Sequence, residues 1–215
     1  MEITDTLKCS IMMEVFEAMM YKVAVDTRNE WMNGSMVETL KDMDSKYRWD
    51  YYSFIPNATN KVVDQLIYTL TKLKEKEPNR SAFRFLDVGC GIGNIIMLAK
   101  YSGFRQAHGI EFDRSHENRF LYDKEDILNK QSEVQVFWQD AMKFTNYGAY
   151  DVVYMYRPIH DYAMQRKLER IVSGTMKKGA YLLANLCEKN WGRTKMEWVH
   201  AKNGVNTIND IWVKQ

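Results

Sequence analysis

The chain has 215 residues, 46% of them apolar and 27% charged, a size at which one domain buries roughly 70% of its unfolded surface without disulfide or metal staples. Thirty Lys and Arg against 28 Asp and Glu leave a formal charge of +2, which excludes a dominantly polyanion-binding character. Three prolines, eleven glycines and 13% aromatics exclude collagen-like, linker-like and disordered chains.

The first predicted helix lies within residues 5–24. Leu7, Ile11, Met12, Val15, Phe16, Met19, Met20 and Val23 recur there at helical intervals, with Thr4 or Asp5 as cap. Asn33-Gly34 breaks the pattern. Ser35 and Glu38 then form a capping box for a second helix through Val37, Leu40, Met43 and Tyr47. Residues 1–50 carry ten acidic and six basic side chains, a net charge of −4. Residues 47–54 place five aromatics in eight positions. That segment reads either as a stacking surface for a ring or as a plug packing the N-terminal helices onto the main domain. After Ile55-Pro56, the polar run Asn57–Asn60 precedes an amphipathic helix through Val62, Val63, Leu66, Ile67, Leu70 and Leu73, ended by charges at 74–77 and Pro78.

From residue 83 short apolar runs alternate with helical segments. Strands are predicted at Phe83–Val88, Gln106–Glu111, Val134–Trp138, Tyr150–Tyr156 and Ala180–Leu186. Helices are predicted at Asn94–Tyr101, Ser115–Lys130 and Asp161–Ser173. This β-α-β alternation predicts an α/β fold with a parallel sheet covered on both faces. Lys195–His200 and Ile208–Val213, around Lys202-Asn203-Gly204, predict a terminal antiparallel hairpin.

The chemistry concentrates in Asp87-Val88-Gly89-Cys90-Gly91-Ile92-Gly93-Asn94, where a strand runs into three alternate glycines and a helix. Glycines let a ligand approach the main chain, and the helix start offers free N–H groups. A dinucleotide fingerprint is G-x-G-x-x-G. Here the spacing is G-x-G-x-G, and Asn94 stands where that fingerprint needs glycine. Asp87, two residues before the loop, suits a cationic or hydroxyl-bearing ligand better than a pyrophosphate.

Asp87-x-Gly89-x-Gly91-x-Gly93 resembles motif I of the class I, seven-strand S-adenosylmethionine-dependent methyltransferases. Glu111 follows Gly93 by eighteen residues in His108-Gly109-Ile110-Glu111-Phe112-Asp113, and Val136-Phe137-Trp138-Gln139-Asp140-Ala141 resembles the third-strand motif. The resemblance covers roughly residues 55–215. It implies a Rossmann-like mixed sheet of order 3-2-1-4-5-7-6 with an antiparallel last strand, and S-adenosyl-L-methionine as cofactor. It implies that Glu111 takes both ribose hydroxyls, a task for which a carboxylate is suited. It places Asp140 beside the adenine amino group and the Ala141 N–H at a ring nitrogen. Asp87, Gly89, Cys90, Gly91, Gly93, Asn94 and Phe112 complete the expected cofactor contacts. Phe54–Thr59 resembles the loop that closes over the methionine end of the cofactor in this family, which would add Asn57 and Thr59. The same residues also read as a plain helix cap. Residues 1–54 are then expected to be a helical cap or lid, and residues 55–215 the cofactor-binding domain.

In this family the acceptor is handled just after the fourth strand, here Met155-Tyr156-Arg157-Pro158-Ile159-His160-Asp161. Enzymes that methylate exocyclic base amines or glutamine amides usually carry Asn/Asp/Ser-Pro-Pro-Tyr/Phe there. This chain lacks both the acceptor oxygen and the double proline, so those acceptors are disfavoured. His160 is the candidate base, or a surface residue beside a capping Asp161. Tyr156 and Arg157 line the acceptor pocket, or Arg157 anchors the loop. Residues 166–195 hold eight basic and two acidic residues, net +6. They form a solvated face, or a surface for an acidic or nucleic-acid substrate, the latter not favoured. The expected activity is methyl transfer to a small molecule or protein side chain. The alternatives are a non-catalytic cofactor-binding or partner-binding protein, or aminopropyl transfer or cleavage of the cofactor.

Cys9, Cys90 and Cys187 are odd in number and widely spaced, which argues against a disulfide framework or zinc site. His108, His116, His160 and His200 show no metal-ligand spacing, so no metal is expected. The fourteen methionines read as core filler. With neither a signal-peptide pattern nor a membrane span, the expected location is cytoplasmic, as monomer or homodimer. Asn33-Gly34-Ser35 and Asn57-Ala58-Thr59 match glycosylation patterns by chance on that reading.

Overall fold

The computed structural model describes residues 56–91, 93–114, 133–203 and 206–215. The helices expected within 5–47, the capping box, the aromatic segment and the helix expected at Ser115–Lys130 lie outside the described residues, as do the two glycosylation patterns' Asn33 and the cap as a whole.

The elements in chain order are α1 (Pro56–Lys76), β1 (Arg84–Val88), α2 (Asn94–Tyr101), β2 (Gln106–Glu111), β3 (Val134–Trp138), β4 (Val152–Tyr156), α3 (Tyr162–Thr175), β5 (Tyr181–Asn185), β6 (Met196–Trp198), β7 (Ala201–Asn203), β8 (Asn206–Ile208) and β9 (Ile211–Lys214). One sheet runs β3-β2-β1-β4-β5-β9-β6, and β7-β8 form a separate pair. The first five strands pair in parallel, while β9 pairs antiparallel with both β5 and β6. With the small β7-β8 ribbon left out of the numbering, this is the order 3-2-1-4-5-7-6 with its antiparallel seventh strand.

The central strands are apolar because both faces are covered. Leu66 and Leu70 of α1, Ile96 and Leu98 of α2 and Phe85 of β1 share one core. Leu168 and Val172 of α3 meet Leu86, Val153, Met155 and Leu182 on the opposite face. Each such buried side chain contributes about 1.5–3 kcal/mol. At the amino ends of the strands, buried Asp151 accepts from the Arg84 N–H at 2.8 Å and the Arg80 guanidinium at 2.6 Å, and pairs with Lys177.

Several boundaries move for local reasons. Tyr150 closes a 3-10 turn on Tyr147, so β4 begins at Val152 rather than Tyr150. Asp161 caps α3 instead of beginning it, its Oδ1 accepting from the Met164 N–H at 2.9 Å. Pro56 is the first residue of α1, where its missing N–H costs nothing. Asn57 and Thr59 therefore belong to the first helical turn, not to a loop ahead of it. The terminal hairpin is interrupted. Asp210, at φ +61°, kinks the chain between β8 and β9, and Ile208 joins the inner ribbon instead of the outer strand.

Candidate active site

The carboxyl ends of β1, β2 and β4 meet where open α/β sheets hold ligands. Gly89, Gly91 and Gly93 all have positive φ, at +77°, +52° and +91°. The Gly89 and Cys90 N–H groups both donate to the Ile110 carbonyl, at 2.8 and 3.0 Å, which pins the loop across β2. A Cβ on Gly89 would meet Pro158 Cβ at 2.5 Å, so this glycine packs against the loop after β4. A Cβ on Gly91 would meet no described atom within 4 Å. Its open side is the approach that a ligand needs. Gly93 caps α2, and Asn94 opens that helix with its Oδ1 buried and without a donor among the described residues.

Glu111 ends β2 and reaches back to this loop. Its Oε2 accepts from the Gly91 N–H at 2.8 Å, and its Oε1 accepts from the Phe112 and Asp113 N–H groups, both at 2.8 Å. A carboxylate offers about four lone-pair sites, so one remains on Oε2 beside Gly91. Asp87 is 2% exposed, and no hydrogen bond among the described residues ends on its carboxylate. Burial, and secondly the Glu111 charge, hold its carboxyl well above the usual carboxylate range. Burial pushes the Cys90 thiol up as well, reinforced by the charges of Asp87 and Glu111, which leaves it inert.

Phe112 stands 59% exposed just past Glu111, at the edge of β2. Asp140 caps the short turn Ala141–Lys143 by accepting from the Met142 N–H at 2.9 Å, while the Tyr147 hydroxyl holds the Ala141 carbonyl at 2.7 Å. Tyr156 ends β4 with its ring exposed. Arg157, at φ +39°, turns its guanidinium over the Tyr162 ring at 4.0 Å and toward the His160 carbonyl and Glu188. These contacts brace the loop after β4. His160 is exposed at the turn into α3.

Three features of this region carry no motif in the sequence. Gly109 on β2 lies under the loop, and a Cβ there would meet Cys90 Sγ at 2.5 Å and Ile96 Cδ1 at 2.6 Å. Buried Glu169 of α3 accepts from the Glu188 and Asn190 N–H groups at 2.7 and 2.8 Å and from the Gln165 amide at 3.0 Å, holding the loop after β5. Buried Gln65 and Asn185 exchange amide hydrogen bonds at 2.9 and 3.2 Å, and Gln65 also donates to the Asn209 carbonyl at 2.7 Å. That bond ties α1 to the same edge of the sheet. Periodicity marks the polar members of these sets only as interruptions.

The residues fit S-adenosylmethionine. A buried Asp87 carboxyl without a cationic partner among the described residues gains most from an incoming cation, Glu111 keeps an accepting site for a hydroxyl, and Gly91 leaves the space open. Among the described residues no group of three His, Cys, Asp or Glu is placed to hold a metal, and no helix is long and apolar enough to cross a membrane.

No family model matches the sequence, and no curated protein matches it. Solved structures similar to the chain include S-adenosylmethionine-bound amino pentose methyltransferase from Micromonospora echinaspora, 17% identical with a TM-score of 0.43, covering 72% of this chain and 66% of that one. Another is an S-adenosylmethionine-dependent methyltransferase from Clostridium acetobutylicum, 15% identical, TM-score 0.42, covering 74% and 56%. A third, from Mesorhizobium loti, is 17% identical, TM-score 0.38, covering 57% and 53%. The chain spans less than two thirds of the length of each. It is the strand order, with its single antiparallel strand and a glycine loop at the end of β1, that gives this chain the Rossmann-like fold of the class I S-adenosylmethionine-dependent methyltransferases.

Proposed function

We propose that the chain binds S-adenosylmethionine across the carboxyl ends of β1, β2 and β3 and transfers its methyl group to an acceptor held beyond β4. The observation that carries this reading is the pairing of Glu111 with the Gly91 N–H beside space that a Cβ on Gly91 would fill. The cofactor supplies an activated methyl on a sulfonium, so the protein's task is chiefly proximity and orientation. Glu111 and the glycine backbone orient the ribose, Phe112 and the Asp140–Ala141 turn flank the adenine, and buried Asp87 faces positive charge. Tyr156 borders the acceptor side. A small molecule or protein side chain is the favoured acceptor, and nucleic acid is not.

A second reading is a non-catalytic cofactor-binding protein on the same fold. It is favoured by Arg157, whose guanidinium is engaged by Tyr162, the His160 carbonyl and Glu188. Aminopropyl transfer or cofactor cleavage would use the same binding residues. The test is a screen of small molecules, proteins and RNA for S-adenosylhomocysteine formation. Product formed with an acceptor supports methyl transfer. Cofactor bound but unchanged throughout supports the second reading.

A further inference from the structure

The carboxyl edge of the sheet continues past the cofactor loop to β5, β9 and β6. Four non-glycine residues among those described have positive φ, namely Arg157, Leu186, Lys189 and Asp210. All lie along this edge, in the loops after β4 and β5 and just before β9. Such strain persists where the surroundings impose it, and it clusters at ligand sites. The exposed large apolar side chains Leu186 and Trp198 lie on the same edge.

Between these loops is a cleft of about 400 Å³ lined by Lys189, Trp198, Asn209, Asp210 and Trp212. Trp198 and Trp212 are register partners across β6 and β9, so their side chains share one face. Trp212 is braced edge-on by buried Trp191 at 5.3 Å, while Trp198 is 43% exposed and lies against His200 at 4.1 Å. One indole is therefore fixed, and the other is partly exposed with His200 against it.

The charge of the cleft is set by Asp210. Its two carboxylate oxygens are taken separately, Oδ1 by Lys189 at 2.6 Å and Oδ2 by Lys61 of α1. Burial raises the Asp210 carboxyl, but the hydrogen bonds and charges of Lys189 and Lys61 outweigh it and hold the group below its ordinary value. The triad thus carries a net positive charge. Each ammonium has three donors and gives one to Asp210, so Lys189, which lines the cleft and is about 40% exposed, keeps donors for a ligand. A cation entering here would meet the Lys189 ammonium and a carboxylate already satisfied.

We propose that this cleft is the acceptor-side site for a planar, anionic ring compound, its ring on Trp198 and Trp212 and its carboxylate or phosphate on Lys189. The proposal rests on the methyltransferase reading and names its substrate class. Strands are about 4.8 Å apart, so a ring seated at β9 and β6 lies roughly 10–15 Å from the end of β4. The cleft holds the part of the acceptor remote from the methylated atom, where binding energy positions the reacting end.

The test uses the full chain, with 2-naphthoate as a planar carboxylate and adenosine monophosphate as a planar phosphate. Cyclohexanecarboxylate is the non-planar anion and 2-naphthylmethylammonium the planar cation. Binding is read by tryptophan fluorescence and ligand-observed NMR. One or both planar anions should bind at least about tenfold tighter than the two controls, and which one binds separates the carboxylate from the phosphate source. Trp198→Ala and Lys189→Gln should each weaken that binding about tenfold or more while leaving S-adenosylmethionine affinity unchanged. Trp198 lies on a three-residue edge strand, and an unchanged melting temperature confirms that the variants fold. Failure of both planar anions to bind, equal binding of the controls, or equal binding to the variants overturns the proposal. Loss of S-adenosylmethionine binding by the unaltered chain instead overturns the methyltransferase reading.

Discussion

Glu111 Oε2 accepts the Gly91 N–H at 2.8 Å, so the acid at the end of β2 holds the glycine loop, in addition to the ribose role proposed for it. Glu111→Ala removes both this brace and the one accepting site left for a ligand hydroxyl. S-adenosylmethionine binding should weaken by about 2 kcal/mol, roughly thirtyfold. Calorimetry on the folded variant checks it, and unchanged affinity removes the ribose role.

Asp87 ties stability and binding in opposite directions. Its carboxyl is raised first by burial and second by Glu111, so the folded chain holds a proton that the unfolded chain releases near pH ~4. Stability contributed by this group therefore falls as pH rises from that point until the folded carboxyl ionises, and then levels off. Asp87→Asn should flatten this fall and raise the melting temperature of the ligand-free protein, yet weaken S-adenosylmethionine binding. Where Asp87 is still protonated, binding of the cation should release a proton. Titrations in buffers of different ionisation enthalpy measure it, and a buffer-independent heat contradicts the role.

Much of the fold was legible. Asn94–Tyr101, Gln106–Glu111 and Val134–Trp138 fall on the residues expected from their patterns, because helical and strand periods are local properties of the chain. The strand order came with the family resemblance, not with periodicity. Gln65 with Asn185, and Glu169 with Glu188 and Asn190, were not legible. A buried polar residue looks like a surface residue until its partner is known, and Gln65 and Asn185 are 120 residues apart. The kink at Asp210 was hidden for the same reason, since Lys61 and Lys189 hold it from distant segments. At the carboxyl edge, the glycine turn between β1 and α2 and the place of Glu111 at the end of β2 follow from local spacing. The roles of His160 and Tyr156 depend on an acceptor that no local pattern names.

Glu169→Ala should destabilise the fold by about 3 kcal/mol, because it leaves two backbone N–H groups without their acceptor. Denaturant unfolding gives the magnitude, and hydrogen exchange should speed up at the Glu188 and Asn190 amides. Unchanged protection at both amides contradicts the bracing role.

Gly89→Ala and Gly109→Ala should each lower the melting temperature, since a Cβ meets Pro158 at 2.5 Å in one case and Cys90 Sγ at 2.5 Å in the other. Thermal unfolding without ligand is the check. Melting temperatures equal to that of the parent chain contradict the close packing of the loop.

Deleting residues 1–45 should leave S-adenosylmethionine binding measurable but remove methyl transfer to the acceptor. Turnover at the parent rate by the folded, truncated chain would place the whole acceptor site within residues 55–215.

The most direct test compares the unaltered chain with Gly91→Val by calorimetric titration of S-adenosylmethionine. Gly91 has φ +52°, and a side chain there enters space with no described atom within 4 Å of its Cβ. The unaltered chain should bind one cofactor per chain, and the folded Gly91→Val variant none. No binding by the unaltered chain, or equal binding by the variant, contradicts the assignment of the cofactor site to the glycine loop.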